Sequence, residues 1–591
     1  MKFGKLLMAN LLAFIILSVF LFFLFIGIIA SLATFGKKET VKIKDNSVLY
    51  LDFKQPIKDF ASMPNPFDNL LNMPSFKDLV ENQPMNLLSV LQHIKYAATD
   101  NNIRGIFLDF KDFNINMANL EEIRNALKEF KKSKKFIIAD ADVYTQASYY
   151  LASVADSIYL TPEGDLTLKG LSAQIMFYKG LLDKLEVEPV VIRHGKFKSA
   201  VEPYLLDSMS DANYLQTKTY VSSVWNHLLK GISEERHIPV DSLNAWADSL
   251  IITGYRKPLQ KHLIDALKYR DQVLSGLAQR LGLSANADIN KVSLKTYVKQ
   301  DIPKPVTRNR IAVIYAQGQI DMGNGDNATI GSERLSRELR EAREDSAVKA
   351  IVLRINSPGG SALASEIIWR EVVLAKLSKP VIVSMGALAA SGGYYIASPA
   401  DVVISNPTTI TGSIGVFGLM LNMKKLLNNK LGINVDGYNT NAHSDLGTTY
   451  RGLTPYEQKV MQNMVERTYG TFVSHVADGR KMTFAEVDSI GQGRVWTGAN
   501  AIKIGLVDSI GGLMYALEVA AQRADLDKYW IVEYPKQKSF MQSLLNLNNV
   551  QTLFKSKVPF VNDLDENLQY LQNILSRKGV QAILPYVIDW N

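Results

Sequence analysis

The chain has 591 residues, 47% of them hydrophobic and 21% charged, a composition for folded domains and, at this length, for more than one core. Its formal charge of +8 is spread over 66 basic and 58 acidic residues with no long lysine or arginine block, so nucleic acid is not an expected partner. It contains no cysteine, which excludes disulfides, thiolate nucleophiles, zinc–cysteine sites and iron–sulfur clusters and leaves any side-chain nucleophile to oxygen.

From residue 6 to residue 35 there is no charged side chain. Roughly 20 apolar residues cross a bilayer as a helix, whereas the apolar part of a cleaved signal peptide runs to about 7–15. Ser31 and Ala33 imitate a cleavage site, but the length of the run predicts a retained transmembrane anchor. Lys2 and Lys5 flank it on one side and Lys37, Lys38, Lys42 and Lys44 on the other, so charge counting does not decide its orientation.

Beyond the anchor the chain repeats itself at a displacement of about 245 residues, the signature of a duplication. Gly-Ile-Phe-Leu-Asp-Phe around Ile106 and Leu108 recurs as Ala-Ile-Val-Leu-Arg-Ile around Ile351 and Leu353, and Tyr149-Tyr150-Leu151-Ala152-Ser153 recurs as Tyr394-Tyr395-Ile396-Ala397-Ser398. Asp156, Pro162 and Gly170 then fall on Asp401, Pro407 and Gly415 without a gap. Two homologous domains are therefore expected, over residues 41–300 and 309–534, joined by a linker carrying Pro303 and Pro305. Residues 535–591 read as a helical, leucine-rich tail without a motif. In the second domain, strands are expected over 311–320, 350–355, 381–385 and 402–405, and helices over 332–344, 361–377 and 455–479. Such alternation predicts an α/β fold with largely parallel strands.

Two glycine-rich segments follow strands in the second half. Asn356-Ser357-Pro358-Gly359-Gly360-Ser361 is either a plain strand-to-helix turn with Ser361 as N-cap or a loop whose outward N–H groups hold an oxyanion. Ala390-Ser391-Gly392-Gly393 is either a tightly packed helix start or an accessible serine beside a backbone N–H. The first half has Asn114 and Ile115 in place of Gly359 and Gly360, and Gln146 in place of Ser391. Since one copy of the fold does without these residues, they point to site chemistry held by the second half alone.

A serine nucleophile needs a base. None of the seven histidines, His93, His194, His227, His237, His262, His443 and His475, stands in a familiar triad context, and neither a Gly-x-Ser-x-Gly elbow nor a His-Glu-x-x-His motif is present. Asn-Ser-Pro-Gly-Gly, then Ala-Ser-Gly-Gly-Tyr-Tyr, then Thr411-Gly412-Ser413-Ile414-Gly415 resemble the signal peptide peptidase A family, serine peptidase family S49 of the ClpP/crotonase superfamily. In the first half, Lys196-Phe197-Lys198-Ser199-Ala200-Val201-Glu202-Pro203 is similar to the segment that carries the general-base lysine in the long form of that family. The resemblance covers nearly the whole chain, anchor and duplication included.

It implies two tandem ClpP/crotonase-like domains of repeated ββα units, with Ser391 as nucleophile and Lys198 as base. The repeat agrees: the counterpart of Lys198 falls at His443 or Ser444, so each half has kept one group of the pair. A solvated surface amine is the alternative for Lys198, and Lys196 is its rival. The amine would need its ammonium destabilised by about 4 kcal/mol, for which a dry, apolar interface is the usual means. Gly392 with Gly359 or Gly360 would hold the oxyanion. Ser413 either orients the lysine amine or is a turn serine between glycines.

The resemblance further implies hydrophobic remnant signal peptides as substrates, no cofactor or metal, a homotetramer, and a single-pass protein of the bacterial inner membrane with its domains on the periplasmic side. Two other functions compete: an acyl-CoA-binding crotonase-like enzyme, which would use neither Lys198 nor Ser391, and a non-catalytic membrane scaffold.

Overall fold

The structure, a computed structural model, describes residues 42–61, 84–110, 113, 115–326, 328–536 and 581–583, together with 14, 16–20 and 22–23. The expected anchor at 6–35 and Asn114 thus lie largely or wholly outside the described residues; the few anchor positions included are helical and exposed. Among the described residues no helix is long and apolar enough to cross a membrane.

The first half is built from β1 (Ser47–Leu51), α1 (Leu87–Ala97), β2 (Ile103–Asp109), α2 (Met117–Lys131), β3 (Phe136–Tyr144), α3 (Gln146–Ala152), β4 (Ser157–Leu166), β5 (Glu188–Arg193), α4 (Asp211–Arg236), β6 (Ala266–Leu267) and β7 (Asn290–Ser293). Six of these strands form a parallel sheet in the order β6-β4-β3-β2-β1-β7. β1 and most of β2 are buried, as expected of a parallel sheet covered on both faces, where apolar runs replace alternation.

The second half repeats this plan with β8 (Arg310–Gln317), β9 (Gln319–Asp321), β10 (Thr329–Gly331), α5 (Ser332–Glu344), β11 (Val348–Ser357), β12 (Gly359–Ser361), α6 (Ala362–Lys376), β13 (Val381–Ala390), α7 (Gly392–Ala397), β14 (Val402–Ser405), β15 (Ile410–Gly412), β16 (Phe417–Asn422), α8 (Pro455–Arg480), β17 (Val495–Thr497), β18 (Ser509–Ile510), α9 (Leu513–Arg523) and β19 (Trp530–Tyr534). Its main sheet runs β17-β15-β13-β11-β8-β19, with β14 pairing β13 and β18. The long helices α4 and α8 each have 26 residues.

Three expectations are corrected. The strand expected over 311–320 breaks at Gly318, which sits at φ +97° so close to Ala328 that a Cβ would lie 1.8 Å from its carbonyl oxygen. The chain kinks there, and β9 joins a different sheet from β8. The helix expected from residue 361 starts at Ala362, because Ser361 is its cap and accepts the Ala364 N–H at 3.3 Å. Of the tail expected to be helical, residues 537–580 and 584–591 lie outside the described residues, and the three described positions beyond residue 536 form a strand, β20 (Gln581–Ile583), rather than a helix. It is extended because it pairs on both sides, with β12 and with β16.

A third sheet, β10-β9-β12-β20-β16-β5, crosses from one half to the other. Its β16 and β5 run antiparallel over six residue pairs from Phe417↔Arg193 to Asn422↔Glu188. A second link is a buried ion cluster. The guanidinium of Arg354 on β11 meets Asp59 at 2.6 Å and Glu122 on α2 at 2.7 Å, with all three side chains at most 2% exposed. Ser384 Oγ accepts a further Arg354 N–H at 2.9 Å, and the Glu122 carboxylate accepts the Leu513 N–H at 2.6 Å. Arg354 stands where the first half has Asp109, which pairs instead with Arg270 within its own half. The Asp-to-Arg difference visible in the repeat is therefore the mark of this contact.

Removing one member of a buried ion cluster strands the others without compensation. Arg354→Met should lower stability by about 3–5 kcal/mol, read as a fall in the urea midpoint. Adding Asp59→Leu and Glu122→Leu to it should recover most of the loss, and failure to recover would mean that charge is not what holds the junction.

Candidate active site

β13 extends beyond the expected 381–385 to Ala390, and so delivers Ser391 to the carboxyl end of an interior strand, where α7 begins. Ser391 takes φ 55°, ψ −116°, a conformation costly for any residue with a Cβ and found where surrounding structure imposes it. Its N–H donates to Gly412 O at 2.8 Å and its carbonyl accepts the Tyr395 N–H at 2.9 Å. Gly392 follows because nothing larger fits: a Cβ there would lie 2.7 Å from Ser365 Oγ and 3.2 Å from Gly360 N. Tight packing and site geometry thus both require the glycine.

Lys198 arrives from the first half, between β5 and α4, at the start of the short turn 199–201. It is 1% exposed. Its Nζ lies 2.9 Å from Ser391 Oγ, 3.0 Å from Ser413 Oγ and 3.3 Å from Ser413 O. The stem runs against two glycines of the other half, where a Cβ on Gly493 would meet Lys198 Cβ at 2.6 Å and one on Gly415 would meet Cδ at 3.3 Å. Burial pushes the ammonium down to about 7, because removing water penalises the charged form. By contrast Lys196 is exposed, with its Nζ over the Phe197 ring. His443 and Ser444, the repeat counterparts of Lys198, lie on an exposed loop where His443 contacts Glu457.

Sequence reasoning missed the residues that hold Lys198 in place. The Gln216 amide donates to Phe197 O at 3.2 Å and Ser199 Oγ at 2.7 Å, while its oxygen accepts the Val495 N–H at 3.3 Å. Phe197 N–H donates to Gln492 O at 3.0 Å. One buried glutamine on α4 thereby ties both neighbours of the lysine to the opposite half. Such a residue has no local signature, because its partners come from elsewhere in the chain.

Ser413 adopts φ 49° and donates its N–H to Arg494 O at 2.7 Å. β12 brings the glycine loop alongside: a Cβ on Gly360 would lie 2.0 Å from Ile320 O, so its pairing with β9 excludes any side chain. The Gly359 N–H donates to Ser357 Oγ at 3.1 Å, and a Cβ on Gly392 would lie 3.2 Å from both Gly359 Cα and Gly360 N, so the two glycine segments are in contact beside Ser391. Asn356, at the loop's entry, donates to Asp59 Oδ2 at 2.6 Å and accepts the Leu388 N–H at 3.1 Å, so the buried ion cluster also steadies the loop.

The equivalent place in the first half is plugged. Gln146 Oε1 accepts the N–H groups of Lys169 and Gly170, each at 2.9 Å, and its Nε2 donates to Gly170 O at 3.1 Å. Leu168, buried, stands at the position of Ser413. Among the described residues no group of histidine, cysteine or carboxylate side chains is arranged to hold a metal.

The sequence profile of peptidase family S49 matches residues 129–284 and 374–527, one segment in each half. The chain is 39% identical over 462 residues to "Protease 4" of Salmonella typhi, covering 76% of this chain and 74% of that protein. It is 37% identical over 455 residues to "Protease 4" of Haemophilus influenzae, covering 74% and 73%. It is 32% identical over 476 residues to "Serine protease SPPA, chloroplastic" of Arabidopsis thaliana, covering 79% and 70%. With the profile matched in both halves and three such relatives aligned over most of their length, the chain belongs to peptidase family S49 and is a serine peptidase.

Proposed function

We propose that the peptidase works through a dyad of Ser391 and Lys198, on a fold of two ClpP/crotonase-like domains, and that its substrates are hydrophobic remnants of signal peptides. The observation that carries this reading is the 2.9 Å contact between the Lys198 amine and the Ser391 hydroxyl in a pocket dry enough to bring the ammonium down to about 7, so that the neutral amine is well populated near neutral pH. Neutral Lys198 accepts the Ser391 proton as Oγ attacks the peptide carbonyl. Ser413, accepting an N–H of the same amine through both its oxygens, aims the lone pair at Ser391. The oxyanion forms against the N–H groups of Gly360 and Gly392. The Lys198 ammonium then protonates the leaving amine, the C–N bond breaks, and an ester on Ser391 remains. Lys198 next takes a proton from water as the water oxygen attacks the ester, then returns it to Ser391 Oγ as the acyl C–O bond breaks, which frees the acid and restores the serine and the neutral amine.

The uncharged stretch at residues 6–35 supports a single membrane anchor, and the resemblance to the signal peptide peptidase A family supports placing the two domains on the periplasmic side of a bacterial inner membrane. The resemblance to the signal peptide peptidase A family supports a homotetramer. An anchored enzyme with a dry cleft suits apolar peptides left in the bilayer.

Ser391→Ala should abolish peptide hydrolysis with the thermal midpoint preserved. Because the base acts when neutral, kcat/KM should rise about tenfold per pH unit below 7 and level off above it; a profile flat from pH 5 to 9 would remove Lys198 from the role. Stability provides an independent measurement. The depressed lysine weakens the fold fully below pH 7, and the cost fades as pH climbs toward the ordinary value of 10.5. Lys198→Met should therefore be inactive yet more stable at pH 7, by at most about 5 kcal/mol, with an advantage that shrinks by pH 10. An advantage that does not shrink would contradict a depressed amine.

A further inference from the structure

At the amino ends of β2 and β3, in the half that carries no nucleophile, lies a cavity of about 650 Å³. Arg104, Lys131, Lys134, Lys135 and Arg280 line it, and Asp156 is the one acidic residue of the lining. Two of the five cations have work in the fold. Lys131 Nζ donates to Val154 O at 2.8 Å and lies 3.5 Å from Asp156. Lys135 Nζ donates to Ala97 O at 2.8 Å and Asp100 O at 2.7 Å, closing the C-terminus of α1.

The second half does the same work with fewer cations. There Lys376 donates to Pro399 O at 2.9 Å and Lys379 to Ala342 O at 2.8 Å. Pro380 follows Lys379, whereas the first half has Lys134 and Lys135 in succession. Lys134 is therefore surplus to the capping. It is exposed, as are Arg104 and Arg280, and none of the three makes an ion pair among the described residues; Arg280 covers the Phe136 ring at 5.5 Å. Burial pushes the Lys135 ammonium down, and Arg104 adds to that against the opposing pull of Asp100. Like charges gathered in this way repel, and an anion between them removes the repulsion.

The place of the cavity says which anion reaches it. The chain arrives from residues 6–35 at this same corner. Ser47, the first residue of β1, donates its N–H to Asn102 O at 2.8 Å and its hydroxyl to Lys44 O at 2.6 Å. The Asn46 amide donates to Leu281 O at 3.2 Å. Asn102 precedes Ile103 of the lining and Leu281 follows Arg280, so the incoming segment is tied to both walls. From residue 35 to Lys44 there are nine residues, which reach at most about 30 Å when extended. Lys42 and Lys44, both exposed, add two more cations to that approach.

We propose that this cavity holds the phosphate of an anionic phospholipid headgroup, seating the first domain on the bilayer beside the anchor. The proposal rests on the reading that residues 6–35 span the membrane. Inorganic phosphate has the same charge, but the anchor keeps lipid phosphates at high effective concentration beside the cavity. Lysine and arginine near an anionic leaflet strengthen attachment in proportion to their number, and salt weakens it.

The test uses the full chain in nanodiscs of phosphatidylcholine with and without phosphatidylglycerol. Lys134 is its own reporter: acylation by a water-soluble succinimidyl ester, read by peptide mass spectrometry, should slow about fivefold when phosphatidylglycerol is present. Lys349, the exposed counterpart of Arg104 in the second half, should keep its rate. Arg104→Gln combined with Arg280→Gln should remove most of the slowing at Lys134 and leave peptide hydrolysis in detergent unchanged. Equal Lys134 rates in the two discs overturn the proposal. So do an equal slowing at Lys349, which would mean surface charge alone, and a slowing at Lys134 that survives the double substitution. Protection by inorganic phosphate in detergent but not by phosphatidylglycerol discs also overturns it, in favour of a soluble anion. A chain that does not enter discs at all contradicts the anchor instead. The cavity is then judged in solution with short-chain phosphatidylglycerol against short-chain phosphatidylcholine, where equal Lys134 rates reject it and slower labelling with the former upholds it.

Discussion

An amine can serve as a base near neutral pH only where its ammonium form is disfavoured, by lost water or by a neighbouring cation, a condition that a solvated surface lysine lacks. Lys198 meets it because the two halves close around it. The first half provides the backbone that carries it, and the second provides Gly415 and Gly493, whose missing side chains make room for the stem. The amine's partners, Ser391 and Ser413, are neutral hydroxyls and a carbonyl, so no carboxylate among them holds the proton on. Burial alone pushes the ammonium down.

That requirement accounts for features that would otherwise look unrelated. Gln216 clamps both sides of Lys198 to the opposite half, and β5 and β16 run together as one ladder. Arg354 joins Asp59 and Glu122 across the junction without solvent, and through Asp59 it reaches Asn356 at the entry to the glycine loop. The ion cluster is a costly way to join two surfaces, since desolvation takes back much of the attraction. What it provides is a defined geometry, in which one guanidinium fixes a carboxylate that in turn fixes the loop.

Duplication supplied the parts and divergence divided them. At equivalent positions one half has Gln146 and the other Ser391, one has Leu168 and the other Ser413, one has Asp109 and the other Arg354. In the first half the glutamine amide fills the hydrogen-bonding places around Gly170, so the inactive copy is a satisfied structure rather than a vacant one. This is why the fold tolerates the loss: the backbone groups that would face a ligand face a side chain instead.

The sequence by itself determined the repeat, the α/β alternation and three of the second-half helices to within a residue or two, and its resemblance to a peptidase family pointed to the two residues that the structure brings to 2.9 Å. The first three are legible because they are written locally, in apolar runs, glycines after strands and a register kept over long stretches. Other features were decided only by tertiary structure. The break at Gly318 depends on the approach of Ala328, the exposure of Lys196 beside the burial of Lys198 depends on which side of the segment meets the other half, and Gln216 shows its purpose only with Phe197, Ser199 and Val495 around it. The strand at Gln581–Ile583 is extended because it pairs with β12 on one side and β16 on the other. In each case the deciding contact lies far away along the chain, and local residue order carries no information about a neighbour until the chain has folded.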